Sequence, residues 1–205
     1  MHPGDGVGIS TRTSEPGTFA LARRTVSSIN EATSWVPESG AQMDWIAAVR
    51  LGWNASEFIL KASKSLGPSS SYPMLPSLYG TDGGGGLETC GVTLAINEML
   101  LQSHEGALRF FPVWPRHRPA SFKTLRTNGA FLVSAAYSPT GGAVDARIKS
   151  TVGGNCTVFA EVAPKVMAHS GVAVAARAQA GLGDVAWRFA TEAGGLYTLA
   201  MSKTL

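Results

Sequence analysis

The sequence predicts a helical segment followed by an antiparallel β-sandwich, with the change of class near residues 104–107. Apolar residues recur at helical spacing from Thr18 to about Gln102, whereas short runs rich in β-branched and aromatic residues alternate with turn residues after Gly106. The 205 residues are 44% hydrophobic and only 15% charged, so each part is expected to bury a core.

Four amphipathic helices are predicted in the first part, the last running from Gly91 to about Ser103 with Gly106 as its stop. Their apolar faces are Phe19, Ala22, Val26 and Ile29; Trp45, Ala48, Val49 and Gly52; Phe58, Ile59, Ala62 and Leu66; and Val92, Ala95, Ile96, Met99 and Leu100. Each face needs a partner, so this segment is expected to be part of a larger helical domain.

Seven runs predict strands in the second part: "ALRFFPVW", "AFLVSAAYS", "AVDARIKST", "NCTVFAEV", "VAVAARAQ", "DVAWRFAT" and "LYTLAMS". Glycine and proline turn signals separate them at fairly even intervals. This spacing is typical of an antiparallel β-sandwich.

Composition and charge exclude several kinds of partner. The 17 basic and 14 acidic residues are scattered, which does not favour nucleic acid. Cys90 and Cys156 lie far apart without CxxC or Cys/His spacing, so neither a zinc site nor a disulfide framework is indicated. No cofactor is expected. No apolar run reaches the roughly 18 residues of a membrane span, and "MHPGDGVGIS" has no signal-peptide pattern, so localisation is left unassigned.

Four glycines, Gly83 to Gly86, precede Glu88 and the fourth helix. A phosphate-binding loop would need a Walker-type lysine or a preceding strand, and no lysine lies between Lys64 and Lys123. Glu88 fits a different chemistry, because the positive end of the helix dipole keeps its carboxylate ionised and able to activate water. The alternative is that Glu88 or Thr89 merely caps the helix.

Four longer stretches resemble the C-terminal part of glycoside hydrolase family 95, the α-L-fucosidase and α-L-galactosidase type. They are "INEMLLQSHEGALRFFPVWP", "ASFKTLRTNGAFLVSA", "IKSTVGGNCTV" and "TEAGGLYTLAMS", and the match is most specific from about Ile96 to Val133. The resemblance implies the last helices of an (α/α) barrel over residues 1–106 and a β-sandwich over residues 107–205. It also implies inverting hydrolysis of terminal α-linked fucose or galactose, with glycans as partners and neither nucleic acid nor membrane.

The chain departs from that family at the catalytic base. Alignment of "EMLLQSH" places the family's aspartate at Leu87, so the resemblance makes the neighbouring Glu88 the candidate catalytic residue and Asp82 a second candidate. The family's general acid has no match and would lie upstream, and inversion needs both groups. The chain is therefore expected to be an incomplete, inactive part of such an enzyme, lacking an N-terminal portion to which any signal peptide would have belonged. The alternative is a noncatalytic carbohydrate-binding or structural β-sandwich module.

Other side chains are assigned structural roles. His104 and Trp114 are expected to pack at the junction of barrel and sandwich, rather than to bind a sugar. Trp35, Trp45 and Trp53 are expected to pack in the helical core, the alternative being that they line a sugar pocket. Two acidic residues are also interpreted, Glu98 as part of a solvated helix face and Glu105 as a helix-end charge.

Overall fold

The chain divides into two compact units, Met1–Met99 and Leu100–Leu205. The computed structural model describes residues 6–33, 43–65, 90–182 and 184–202. The described helices are α1 (Thr11–Ser14), α2 (Pro16–Thr33), α3 (Met43–Arg50), α4 (Ala55–Ser65) and α5 (Cys90–Leu100). None of these helices is long and apolar enough to span a membrane.

All described strands lie in the Leu100–Leu205 unit and pair antiparallel. The strands are β1 (Leu101–Gln102), β2 (Arg109–Phe110), β3 (Ala120–Thr127), β4 (Phe131–Ser138), β5 (Ala143–Ser150), β6 (Gly154–Phe159), β7 (Lys165–Ala168), β8 (Ala173–Val174), β9 (Arg177–Gln179), β10 (Ala186–Thr191) and β11 (Leu196–Met201). They form a six-stranded sheet in the order β3-β4-β5-β11-β7-β8, a three-stranded sheet in the order β6-β10-β9, and the β1-β2 pair.

The two larger sheets share one hydrophobic core. Alternate residues point inward because successive side chains in a strand lie on opposite faces. Val133 and Ile148 from the six-stranded sheet and Val158 and Phe189 from the three-stranded sheet all belong to this core. The outward residues of the same strands are therefore left to form surface sites.

A buried hydroxyl network also connects the two sheets. Thr191 of β10 donates to the hydroxyl of Ser150 at the end of β5, 2.9 Å away. The Ser150 hydroxyl in turn accepts the backbone N–H of Gly153 at 3.1 Å. These bonds satisfy polar groups at the β5–β6 turn that would otherwise be costly to bury.

The Met1–Met99 unit packs around α3. Residues 45–50 are all buried, and Trp45 contacts Phe58 of α4 edge to face with ring centroids 5.2 Å apart. Arg50 forms an ion pair with Glu98 of α5 at 2.7 Å, where Glu98 is largely shielded from solvent. The placement of Glu98 on a freely solvated face was therefore wrong.

The structure contradicts the predicted fold class. Three antiparallel sheets and only five helices among the described residues do not fit a partial (α/α) barrel followed by a small sandwich. Helical periodicity identifies faces that need partners, but it does not determine that the helices close into a barrel. Four of the five helices have 11 residues or fewer, and the strands supply the more extensive pairing.

Several element boundaries also differ from the prediction. The fourth predicted helix ends at Leu100 rather than near Ser103, because Leu101 and Gln102 pair with β2 instead. The run "VAVAARAQ" is not one strand but two, β8 and β9, which belong to different sheets. Strands β3 and β7 were not among the predicted runs.

Candidate functional site

The predicted catalytic loop lies outside the described residues. Glu88, the absent aspartate position Leu87 and the second candidate Asp82 all fall in residues 66–89. Their proposed role in activating water therefore stays a prediction.

The outward face of the six-stranded sheet carries an open groove of about 620 Å³. We call it the outer groove and define it by six polar residues that line it: Lys123, Ser134, Asp145, Arg147, Lys165 and Thr198. Its volume falls within the range typical of small-molecule sites.

Strand register sets the polar residues in two rows across the sheet. In the first row, Arg147 of β5 lies between Thr198 of β11 and Ser134 of β4. In the second row, Asp145 lies between two alanines, and Lys165 follows across β11. Five neighbouring strands span about 19 Å at the usual strand spacing, which is longer than one sugar ring.

Small side chains produce the depression between the charged ones. Ala136 and Ala200 flank Asp145 on the exposed face, so nothing fills the space beside its carboxylate. These alternating positions are readable in the strand sequences, but the sequence alone does not show that they meet across strands. This site was therefore not predicted from the sequence.

A β-bulge shapes the end of the groove. The register of β3 against β4 shifts between Phe122 and Leu125, and Thr124 has a positive φ of 56°. The Thr124 N–H donates to the Ser134 hydroxyl at 3.0 Å, which orients that hydroxyl. Bulges redirect neighbouring side chains, and here Lys123 lines the groove.

The charges of the outer groove are not used in holding the described fold together. Within residues 90–182 and 184–202, Lys123, Asp145, Arg147 and Lys165 form no ion pair. Three cations and one carboxylate thus face solvent together. They supply hydrogen-bond donors and an acceptor suited to the hydroxyl groups of a polar ligand.

The groove offers no pair of carboxylates for glycoside hydrolysis. Such catalysis needs two carboxyl groups about 5 to 9.5 Å apart, and Asp145 is the one acidic residue among those that line the groove. The described part of the chain does bring two other carboxylates together, Glu105 and Asp184. Both accept from the same nitrogen of Arg109, at 3.1 and 2.8 Å.

The Arg109 cluster is a structural ion-pair network. The guanidinium lies 3.9 Å from the centre of the Phe159 ring, and the Arg109 side chain is 3% exposed. Both carboxylates therefore serve to neutralise a buried cation. The interpretation of Glu105 as a helix-end charge was wrong, because the helix ends at Leu100 and β1 lies between them.

The remaining candidates pack rather than line the groove. His104 is buried between β1 and β2. The Trp114 indole N–H donates to the carbonyl of Arg118 at 3.0 Å, and its ring packs on the shared core. Trp45 is fully buried. These positions agree with the structural roles expected of them, while Trp35 lies outside the described residues.

Within the described ranges, no three His, Cys, Asp or Glu side chains lie close enough together to hold a metal ion. Cys156 is a free, buried thiol in the core. Burial raises the pKa of this thiol from 9.0 to about 12, so it stays protonated at neutral pH. A protonated, enclosed thiol is not a nucleophile.

Comparison with known proteins identifies no family for this chain. No protein family and no curated protein matches the sequence. Among solved structures, the chain is similar to a glycoside hydrolase family 30 subfamily 8 xylanase from Clostridium acetobutylicum, with a TM-score of 0.32 and 9% identity. The match covers 73% of this chain but 40% of the xylanase, so the chain spans less than half of that protein's length. A likeness this weak carries no inference about fold or activity.

Proposed function

We propose that this chain is a saccharide-binding part of a glycoside hydrolase resembling family 95, which acts on terminal α-linked fucose or galactose of glycans. In this proposal the Leu100–Leu205 unit binds the glycan through the outer groove. The chain alone does not hydrolyse it, because no matched acid and base are available to it.

The binding role rests on the charged side chains of the outer groove, which form no ion pair within the described residues. Arg147 presents several donors and Asp145 presents acceptors, while Ser134 and Thr198 add hydroxyl groups on either side of Arg147. A sugar hydroxyl both donates and accepts hydrogen bonds, so it can pair with the donors and with the acceptors among these groups. The rigid sheet holds the four side chains at fixed spacing, which favours recognition of an extended glycan.

A noncatalytic carbohydrate-binding module is the second candidate. The single carboxylate of the groove favours it, since Asp145 can bind a sugar but cannot provide both catalytic functions. The two candidates agree on binding and differ in whether Glu88 ever takes part in catalysis.

Binding is tested by titrating the protein with fucosylated and galactosylated oligosaccharides in a calorimeter. We expect Arg147→Ala and Asp145→Asn each to weaken binding about tenfold or more, because hydrogen bonds to charged groups contribute about 1.5–3 kcal/mol. Lys149→Ala is the matched control, since Lys149 is exposed on the same face of β5 but does not line the groove. Equal affinity of all four proteins would contradict the binding role.

Catalysis is tested with an aryl α-L-fucoside. We expect no release of the aryl group above the rate in buffer. Turnover that is lost in Glu88→Gln would contradict the proposed incompleteness and would make Glu88 the catalytic base. Binding without turnover in both proteins is the result expected from the proposal.

A further inference from the structure

A second groove, of about 540 Å³, lies on the outward face of the three-stranded sheet. Two arginines dominate it. Arg177 of β9 and Arg188 of β10 are directly opposite in the strand register, which places their Cβ atoms about 5 Å apart. Both side chains are exposed. Like charges opposite one another destabilise a sheet, so this pair works against folding unless something compensates it.

No carboxylate in the described part of the chain forms an ion pair with either arginine. Neither Arg177 nor Arg188 forms an ion pair within residues 90–182 and 184–202. Two carboxylates do occur beside this sheet, on Glu105 and Asp184, but both are bound by Arg109. Arg109 itself stacks on Phe159, two residues along β6 from Thr157. Arg109 neutralises one of these two negative charges, and neither carboxylate forms an ion pair with Arg177 or Arg188.

Neighbouring residues add neutral donors to the same face. Thr157 of β6 lies opposite Arg188, on the side away from Arg177. Asn155, two residues earlier in β6, is exposed and lines the same groove. A guanidinium pair with adjacent amide and hydroxyl groups matches the several acceptor oxygens of one oxyanion.

We propose that Arg177 and Arg188 form a clamp for the oxyanion group of an acidic saccharide, either a carboxylate or a sulfate ester. Two planar guanidinium groups on adjacent strands bind one oxyanion through paired hydrogen bonds and relieve their mutual repulsion at the same time. The groove is much larger than a free ion needs, so the oxyanion is one part of a larger ligand. The saccharide nature of that ligand rests on the proposed function, whereas the oxyanion requirement rests on the arginine pair alone.

The test titrates the protein with an oligogalacturonide, a sulfated oligosaccharide and a neutral oligosaccharide of equal length at low ionic strength. We expect the acidic ligand to bind and Arg177→Gln or Arg188→Gln each to weaken it about tenfold or more, as for other charge-assisted hydrogen bonds. The affinity for the neutral oligosaccharide should be the same in the wild type and in both variants. Preference for carboxylate or for sulfate then identifies the oxyanion.

Arg126→Gln is the matched control, because Arg126 is exposed on β3 and pairs with Leu132 rather than with another cation. It should leave acidic-ligand affinity unchanged. If Arg126→Gln weakened binding of the acidic ligand equally, the loss would follow from the lower net charge alone, and the proposed clamp would be overturned. Binding of inorganic sulfate or monomeric glucuronate as tight as that of the oligosaccharides would also overturn it, leaving a simple ion site.

Stability provides a readout that does not depend on identifying the sugar. Without ligand at low ionic strength, Arg188→Gln should melt above the wild type, because the opposed like charge is gone. Sulfate should raise the melting temperature of the wild type but not of the variant, relative to chloride at equal ionic strength. A variant that melts lower and still binds the acidic ligand would contradict the proposal.

Neutral-glycan binding at the outer groove, which does not use Arg188, reports separately on the proposed function.

Discussion

At the scale of single residues, buried charge in the Leu100–Leu205 unit is concentrated at Arg109. Its guanidinium meets Glu105 and Asp184 within 3.1 Å and covers the face of Phe159. The pairing removes the need to solvate the buried cation. Without the arginine, the two carboxylates would be left as uncompensated charges shielded from solvent.

Replacement of Arg109 by methionine should therefore destabilise the protein strongly. We expect a loss of about 3–5 kcal/mol in the free energy of unfolding, because two partly buried carboxylates would be left facing each other. Urea denaturation followed by circular dichroism measures it. The exposed Arg126→Met serves as control and should change stability by about 0.5 kcal/mol or less. A loss below that of an ordinary surface change would show that the network is solvated.

Cys156 makes stability depend on alkaline pH. Its pKa is raised by burial from 9.0 to about 12, so the folded protein keeps a proton that the unfolded chain releases. The corresponding stabilisation is complete below pH 9.0 and is lost as the pH rises toward about 12. Within that window the free energy of unfolding should fall by about 1.4 kcal/mol per pH unit because of this thiol.

The measurement compares wild type and Cys156→Ala by urea denaturation from pH 8 to pH 10.5. Other titrating groups are common to both proteins, so the difference in stability isolates the thiol. It should decline only above pH 9.0. A difference that is constant across the range would mean that the thiol ionises equally in the folded and unfolded states.

At the scale of structural elements, the turns limit which residues the chain tolerates. Gly153, between β5 and β6, and Gly171, between β7 and β8, have the same φ of +81°. A Cβ at Gly153 would lie 3.0 Å from the backbone nitrogen of Ala193, whereas a Cβ at Gly171 would meet nothing within 4 Å. The two positions therefore separate backbone strain from steric contact.

Alanine at each glycine tests this separation. We expect Gly171→Ala to lower the free energy of unfolding by about 1–2 kcal/mol, the usual strain of a left-handed residue with a side chain. Gly153→Ala should cost about 1–3 kcal/mol more, because backbone atoms must move to admit the methyl group. Denaturation midpoints of the two variants give the difference directly. Equal costs would show that the β5–β6 turn relaxes freely.

The regular strands were predictable because their residues alternate strictly. The strands β4, β5 and β11 alternate buried and exposed positions almost without exception, and each lies within a predicted run. In β3 the bulge interrupts this alternation, and β7 has only four residues. A two-residue period is not detectable in either strand, so the local sequence pattern did not predict β3 or β7.

At the scale of the whole molecule, the Leu100–Leu205 unit has its own core. Among the described residues, its buried cluster runs from Leu101 to Met201. A fragment of residues 100–205 should therefore fold alone, with a β-rich circular dichroism spectrum and cooperative unfolding. It should also bind glycan with the affinity of the full chain, since every described residue that lines the outer groove lies within it. A fragment without cooperative unfolding would contradict this independence.

Local patterning and long-range packing contributed different parts of this structure. Helix faces and most strands follow from periods of about 3.6 and 2 residues, which neighbouring residues express without any distant contact. Strand order is different, because it depends on pairing between segments far apart in sequence, such as β5 with β11. The same pairing brings Arg147 to Thr198 and Arg177 to Arg188, so the outer groove and the arginine pair emerge only in the folded chain. The predicted barrel failed for this reason too, since apolar faces show that partners are needed but not which elements supply them.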